Sequence, residues 1–181
     1  MGPEGTEELM SDDPWAEVRW MVDGFNEKRR KEFKVGWGVT VDETMIAWQG
    51  KSGPGGIPHM SCIHRKPDPL GCELKNACDC SSGSPPPPPP PLIMYIRCLT
   101  SLPNTHLSGV MMRVEIQEGM VRMARHGYTR EHIATTACTM RLAGGCGMGE
   151  LQLAAELRPQ RVLFADSWFA SLSTTLALVE R

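Results

Sequence analysis

The chain has 181 residues, of which 41% are hydrophobic and 22% charged, which is enough for one domain with a buried core. Its net charge of -2 excludes the global basic field that draws an autonomous DNA-binding protein to nucleic acid. No apolar run is long enough to span a bilayer, and the acidic N-terminus lacks the features of a signal peptide. Seven cysteines, an odd number, favour reduced thiols in a cytosolic or nuclear compartment.

The N-terminal third of the chain predicts a helix followed by a strand. Residues 1–13 are expected to be a disordered lead, at whose end Asp13 and Pro14 favour a helix start. Val39, Thr40 and Val41 are β-formers and predict the strand, which a Gly/Pro-rich segment from 50 to 58 ends. The helix is predicted from apolar residues at helical spacing, namely Trp15, Val18, Met21, Val22 and Phe25.

A hairpin is predicted in the middle of the chain, with a long interruption at its turn. Leu70–Cys80 alternates like a strand, and its natural antiparallel partner is Met111–Glu118. Between them lie the seven prolines Pro85–Pro91, which favour polyproline II and cannot donate to a sheet. We therefore interpret Ser84–Val110 as a Pro-rich insertion in a hairpin turn. An unspliced intron translated in frame is a second interpretation, which a mature transcript containing the segment would refute.

Two helices and a strand are predicted in the C-terminal part. Thr129 can cap a helix from Arg130 to about Ala143, Val162–Ala165 has the continuous apolar character of a strand covered on both faces, and Ser171 can cap a final helix. Gly147–Pro159 is expected to be a loop with a short helix. The order of elements predicts an α/β protein, a mixed sheet with helices on its faces. In the first helix Ile133, Ala137, Cys138 and Met140 are expected to face the core. In the final helix Leu172, Leu176 and Val179 share one face.

Two aspartates stand in unusually apolar surroundings, Asp42 within the first strand and Asp166 at the end of the apolar run. A carboxylate in such a setting is costly unless it is paired or bound to a cation. On neighbouring strands, both could hold Mg²⁺, and two metals about 4 Å apart would activate a nucleophile in phosphodiester chemistry. Aspartates at strand ends are also common turn formers, so spacing alone leaves both roles open. Glu43 is expected on the opposite face of its strand, as a structural or surface residue.

Three sequence blocks, in the right order, resemble PiggyBac-like DDE transposases. The resemblance covers roughly Trp15 to the end of the sequence, omits the insertion and leaves Gly147–Pro159 open. Each block alone is moderately specific, and three in order form a stronger signal. The matching residues are Val39–Ile46 with Gly50-Lys51 for the first catalytic block, Lys66–Gly71 with Cys78-Asp79 for the middle element, and Asp166–Ser171 for the second catalytic block.

The resemblance implies an RNase H-like mixed sheet with flanking helices, in which Asp42 and Asp166 are metal ligands on adjacent central strands. It also implies Mg²⁺- or Mn²⁺-dependent hairpin formation at transposon DNA ends, strand transfer into TTAA targets, and a nuclear location. Trp168 and Phe169 are expected to pack in the core.

The family's third aspartate follows on a later strand, so residues 14–181 are expected to form a partial catalytic domain. It would lack the final strand and helix of the core and have no transposase activity as it stands. The edge of Val162–Ala165 would then be open to self-association.

Two alternative functions stay open at this point. A zinc module could use soft ligands, although no C-x-x-C pair occurs and C-x-C spacing on a strand points both thiols the same way. A relic or domesticated transposase fragment could instead be a non-catalytic binding module whose proline run docks in SH3, WW or profilin-type grooves. Zinc content and Pro→Ala replacement of the run test these two alternatives. The zinc candidates are His59, Cys62, His64, Cys78 and Cys80.

Overall fold

Five strands form one mixed sheet in the computed structural model, which describes residues 13–51, 56–80, 109–146 and 162–179. None of the helices within those ranges is long and apolar enough to cross a membrane. The elements in chain order are α1 (Ala16–Glu32), β1 (Gly38–Ala47), β2 (Ser61–Cys62), β3 (Leu70–Asp79), β4 (Val110–Ile116), α2 (Met120–Met123), α3 (Ala134–Gly145), β5 (Val162–Ala165) and α4 (Leu172–Val179).

The sheet combines antiparallel and parallel pairing. β3 runs antiparallel to β1 along its whole length, and β4 and β2 share its other edge. On the far side of β1, β5 pairs in parallel, which gives the order β4-β3-β1-β5 with β2 beside β3. The predicted class, an α/β fold with a mixed sheet and flanking helices, is therefore confirmed.

The interrupted hairpin pairs as the sequence predicts. β3 and β4 are antiparallel from Leu74 opposite Ile116 to Asp79 opposite Val110, with a bulge between Ala77 and Cys78. β4 begins at Val110, the residue that the sequence assigns to the end of the insertion. Residues 84–108 lie outside the described ranges, as do 1–12 and the predicted loop at 147–159, so the insertion and the binding-module alternative stay predictions.

The core lies on one face of the sheet, where α3 covers the central strands. Val39 and Val41 of β1 alternate with half-buried residues, as expected for a strand with one face against the core. The helix is buried around much of its circumference, including Ala137, Cys138 and Met140 as predicted. The core cluster consists of Val35, Val39, Val41, Ala77, Met112, Cys138, Leu142, Cys146, Leu163, Ala165 and Phe169.

The start of α3 differs from the prediction. The helix begins at Ala134 instead of Arg130, and Thr129 does not cap it. The Thr129 hydroxyl instead donates to the carbonyls of Ala124 and His126, which closes the turn after the unpredicted short helix α2. Ile133, predicted to be inward, is exposed because it precedes the helix in an extended conformation.

The buried face of α4 is not the one that carries Leu172 and Leu176. Ser171 does cap the helix, since its Oγ accepts a hydrogen bond from the Thr174 backbone N–H at 3.1 Å. Leu172 and Leu176, however, are 76% and 53% exposed, and Thr174 is fully buried. The reason is a polar contact between helices, because Thr174 Oγ1 lies 2.9 Å from the equally buried Thr136 Oγ1 of α3. The side chain of Val179 is outside the described set.

Helix α1 contacts the sheet at β4 and has no fully buried residue. Trp15, just before the helix, is buried, whereas Met21 is exposed, so only part of the predicted stripe faces inward. Asp13 accepts a hydrogen bond from the Trp15 N–H at 3.0 Å and pairs with Arg19 of the helix. Asp13 thus holds the helix start, as its position at the end of the lead segment, directly before Pro14, favours.

Candidate metal centre

Asp42 and Asp166 lie side by side because of the parallel pairing of β1 and β5. The ladder runs from Gly38 opposite Val162 to Val41 opposite Ala165. The next residue of each chain segment is therefore one of the two aspartates. The structure brings together the two carboxylates that the sequence singled out, on adjacent strands, as the family resemblance implies.

Backbone amides hold one oxygen of each carboxylate. Asp42 Oδ1 accepts from the Glu43 N–H at 2.8 Å. Asp166 Oδ1 accepts from the N–H groups of Trp168 at 2.9 Å and Phe169 at 3.4 Å. A further bond from the Ala170 N–H to the Asp166 carbonyl closes this turn. The turn therefore fixes the direction of the Asp166 carboxylate through its Oδ1.

Glu43 completes a cluster of three carboxylates that sequence reasoning missed. One ligand oxygen from each of Asp42, Glu43 and Asp166 lies within 4.8 Å of the others. Glu43 shares the buried side of β1 with Val39 and Val41, so it is structural in position but not a surface residue. The available signal was a carboxylate on the apolar side of a strand, directly after Asp42. Three oxygen donors at this spacing suit a hard cation such as Mg²⁺.

Two basic residues before β3 neutralise part of this negative charge. Arg65 Nη2 contacts Glu43 Oε1 and lies 3.9 Å from Asp166 Oδ2. Lys66 Nζ lies 3.5 Å from Glu43 Oε1 and 3.3 Å from its backbone carbonyl. The sequence placed Lys66 in a family element without predicting this contact. Because Glu43 is paired with both, Asp42 and Asp166 carry most of the unbalanced charge.

The turn after Asp166 rests on a buried lysine. Lys75 of β3 pairs with Glu73 at 2.5 Å, and its Nζ lies 3.8 Å from the centroid of the Trp168 ring. Phe169 is fully buried, which confirms its predicted packing. The prediction for Trp168 is wrong, because 43% of that residue is exposed. Its ring lies over the lysine ammonium and against Phe169, outside the core proper.

The zinc candidates do not assemble within the part of the chain that the structure describes. The one cluster of three or more possible metal ligands there is the carboxylate cluster. Cys62 Sγ lies 3.7 Å from His64 Nε2, but no third ligand joins them. Burial raises the pKa of both Cys78 and Cys80, which disfavours the thiolate form that binds metals.

Comparison with known proteins supports the fold. No family model matches the chain, and no curated protein matches it by sequence. Among solved structures it is similar to a piggyBac transposase, seen by cryo-electron microscopy in a synaptic complex with hairpin DNA, with a TM-score of 0.58 and 18% sequence identity. The match covers 94% of this chain and 26% of that one, so the chain spans about a quarter of its length.

At this identity the similarity shows the fold alone. The chain is a mixed α/β protein whose sheet and helices are consistent with a transposase-like catalytic core.

Proposed function

We propose that the chain is part of a PiggyBac-like DDE transposase and that Asp42 and Asp166 bind a divalent cation, Mg²⁺ or Mn²⁺. The observation that carries the proposal is the convergence of these carboxylates at equivalent positions of two adjacent parallel strands. Ligands bind at the carboxyl ends of strands in open α/β sheets, and Asp166 follows such an end. The similar fold of a piggyBac transposase and the three matching blocks support the same assignment.

The three carboxylates of the site would have different roles in cation binding. Asp42 and Asp166 would each offer an oxygen whose direction is fixed by backbone hydrogen bonds. Glu43, already paired with Arg65 and Lys66, would stabilise the arrangement from the buried side. A bound cation would supply Lewis-acid stabilisation of negative charge on phosphodiester oxygens.

DNA is the proposed substrate, because the similar transposase was solved with hairpin DNA. Transposon ends, TTAA targets and a nuclear location are proposed on the family resemblance. That resemblance requires a third aspartate beyond the second block, so we expect cation binding by this chain without hairpin formation or strand transfer. Turnover by the purified chain in a hairpin-formation assay with Mn²⁺ would contradict the expected inactivity.

Mn²⁺ binding to the purified chain, measured by electron paramagnetic resonance and calorimetry, tests the proposal directly. We expect binding to weaken at least about tenfold in Asp42→Asn and in Asp166→Asn, because each removes a charged oxygen ligand. Asp23→Asn is the matched control, since Asp23 is exposed on α1. Wild-type protein that binds no Mn²⁺, or aspartate variants that bind it as well as the control does, would refute the proposed site.

A further inference from the structure

Two exposed side chains of opposite character flank Asp166. Arg65, 61% exposed, lies 3.9 Å from the aspartate on one side. Trp168, 43% exposed, lies two residues further along the turn that Asp166 holds. The site proposed above does not account for either exposure. Proteins bind single-stranded nucleic acid with aromatic rings that stack on bases and with positive charges that contact the backbone, and both kinds of group lie next to the proposed metal-binding carboxylates.

Trp168 is fixed but not covered. Lys75 Nζ lies against its ring at 3.8 Å from the centroid, and Phe169 packs at a 77° interplanar angle with centroids 4.6 Å apart. Lys75 and Phe169 are both buried, so they contact the inner part of the ring and leave the rest of it open to solvent. A ring held this way offers a π-face for stacking at little cost in side-chain entropy.

Arg65 has hydrogen-bond donors to spare. Its contacts with the described part of the chain are made by Nη2, toward Glu43 and Asp166. A guanidinium has five N–H donors in a planar fork that matches a phosphate, so it can hold Glu43 and a phosphate together. The large exposed fraction of the side chain leaves that second contact open to a strand in solvent.

We propose that Arg65 and Trp168 form a nucleotide subsite for single-stranded DNA, in which Arg65 contacts a backbone phosphate and Trp168 stacks on an unpaired base. The inference rests on the proposed function for its choice of DNA. It adds a requirement that the carboxylates alone do not impose, namely an unstacked base beside the phosphate at the metal centre. Duplex DNA, whose bases are stacked, is expected to bind less tightly.

Fluorescence anisotropy with a labelled single-stranded oligonucleotide of about 15 nucleotides, in Mg²⁺ at low salt, tests the subsite. We expect Trp168→Ala to weaken binding about five- to hundredfold at every salt concentration, and Trp168→Phe to retain most of the affinity. Against an oligonucleotide without bases, Trp168→Ala should have no effect. Arg65→Ala should instead reduce the slope of log affinity against log salt by about 0.7, the value for one phosphate contact.

Matched controls separate the subsite from general surface effects. Trp20 on α1 is more exposed than Trp168, and Arg130 is an exposed arginine outside the site, so Trp20→Ala and Arg130→Ala should leave affinity and slope unchanged. Circular dichroism checks that each variant folds. If Trp168→Ala is unfolded, Trp168→Leu replaces it, because leucine fills space without a π-face.

Several outcomes would overturn the inference. These are no oligonucleotide binding by the wild type, equal affinities of the Trp168→Ala and Trp20→Ala variants, or tighter binding of RNA than of DNA of the same sequence. Mn²⁺ binding that still depends on Asp42 and Asp166 would show that the proposed function stands while the subsite fails. Loss of that metal dependence would refute the proposed function separately.

Discussion

Asp42 and Asp166 each lie one residue beyond the last pair of the parallel ladder, Val41 with Ala165. Their separation is therefore set by the distance between neighbouring strands of one sheet, about 4.8 Å. No loop has to close to bring them together. The metal-free protein must then hold these two carboxylates and that of Glu43 at close range, with Arg65 and Lys66 as counter-charges and Lys75 opposite Glu43 on β3.

Asp42→Asn should change the stability of the protein in opposite directions with and without metal. In EDTA we expect the variant to be as stable as the wild type or more stable, by up to about 1 kcal/mol, because like-charge repulsion is relieved. In Mg²⁺ at ten times its dissociation constant, the wild type should gain about 1.4 kcal/mol, and the variant should gain little. Urea unfolding in both buffers measures the four values. A Mg²⁺ gain that the variant keeps in full would contradict a role for Asp42 as a ligand.

The sequence predicted the aspartates because their strands carry local signals. The sequence around both strands is apolar, and Asp42 within β1 and Asp166 directly after β5 are conspicuous without any knowledge of the fold. The neighbours of those carboxylates are different, because Arg65, Lys66 and Lys75 reach the site through contacts across the sheet. The position of a lysine or arginine in the sequence shows no pattern that would indicate which residue its long side chain contacts.

Which face of a helix packs inward could not be predicted from the sequence for a related reason. Leu172 and Leu176 share an apolar face, yet α4 packs through Thr174 onto Thr136. Propensity and hydrophobic spacing describe one helix at a time, whereas a buried hydroxyl pair depends on two. The partial exposure of Trp168 could not be predicted for the same reason, because it depends on Lys75 of another strand, which lies against the ring.

Gly71, the second residue of β3, should not tolerate alanine. A Cβ there would come closer than 3.0 Å to the carbonyl of Ile46 on β1, and backbone cannot move aside cheaply. We expect Gly71→Ala to lower the free energy of unfolding by about 2–3 kcal/mol. Gly24→Ala is the matched control: nothing lies within 4 Å of its Cβ in α1, so the variant should be more stable by about 0.5–1 kcal/mol. Urea titration of both variants decides, and equal stabilities would contradict the close approach.

Asn26 attaches α1 to the sheet through the backbone of Val114. Its Nδ2 donates to the Val114 carbonyl, and its Oδ1 accepts from the Val114 N–H, both at 2.8 Å. Asn26→Ala leaves the backbone carbonyl and N–H of buried Val114 without these side-chain partners. This loss should lower the free energy of unfolding by about 1–3 kcal/mol. Hydrogen exchange of the Val114 amide should accelerate accordingly, whereas exposed Glu27→Ala should leave it slow. Unchanged protection in Asn26→Ala would show that β4 does not depend on the helix.

An ionic network joins the start of α1 to the end of β4 and the short helix α2. Arg19 contacts both Asp13 and Glu118, and Arg122 bonds the same two carboxylates at 2.9 Å and 2.7 Å. The hydrogen bond from Arg19 lowers the pKa of Asp13 from 3.8 to about 2, against the opposing effect of burial. Burial would raise the pKa of Glu118, but its bonds to Arg19 and Arg122 lower it overall. Both carboxylates are therefore more acidic in the folded protein than in the unfolded chain.

This network should make the protein sensitive to acid. Because the folded-state pKa of Asp13 is depressed, its stabilisation is present above pH 4 and is lost as the pH falls toward 2. We expect Asp13→Asn to lower the free energy of unfolding by about 1–2 kcal/mol at pH 7 after allowance for solvent screening. The difference from wild type should vanish near pH 2. Urea midpoints at pH 7, 4, 3 and 2 measure it, with Glu27→Gln, an exposed partner of Lys31, as the control that should barely move. A difference that stays constant down to pH 2 would mean that Asp13 stabilises the helix start through its shape and its bond to Trp15, and not through its charge.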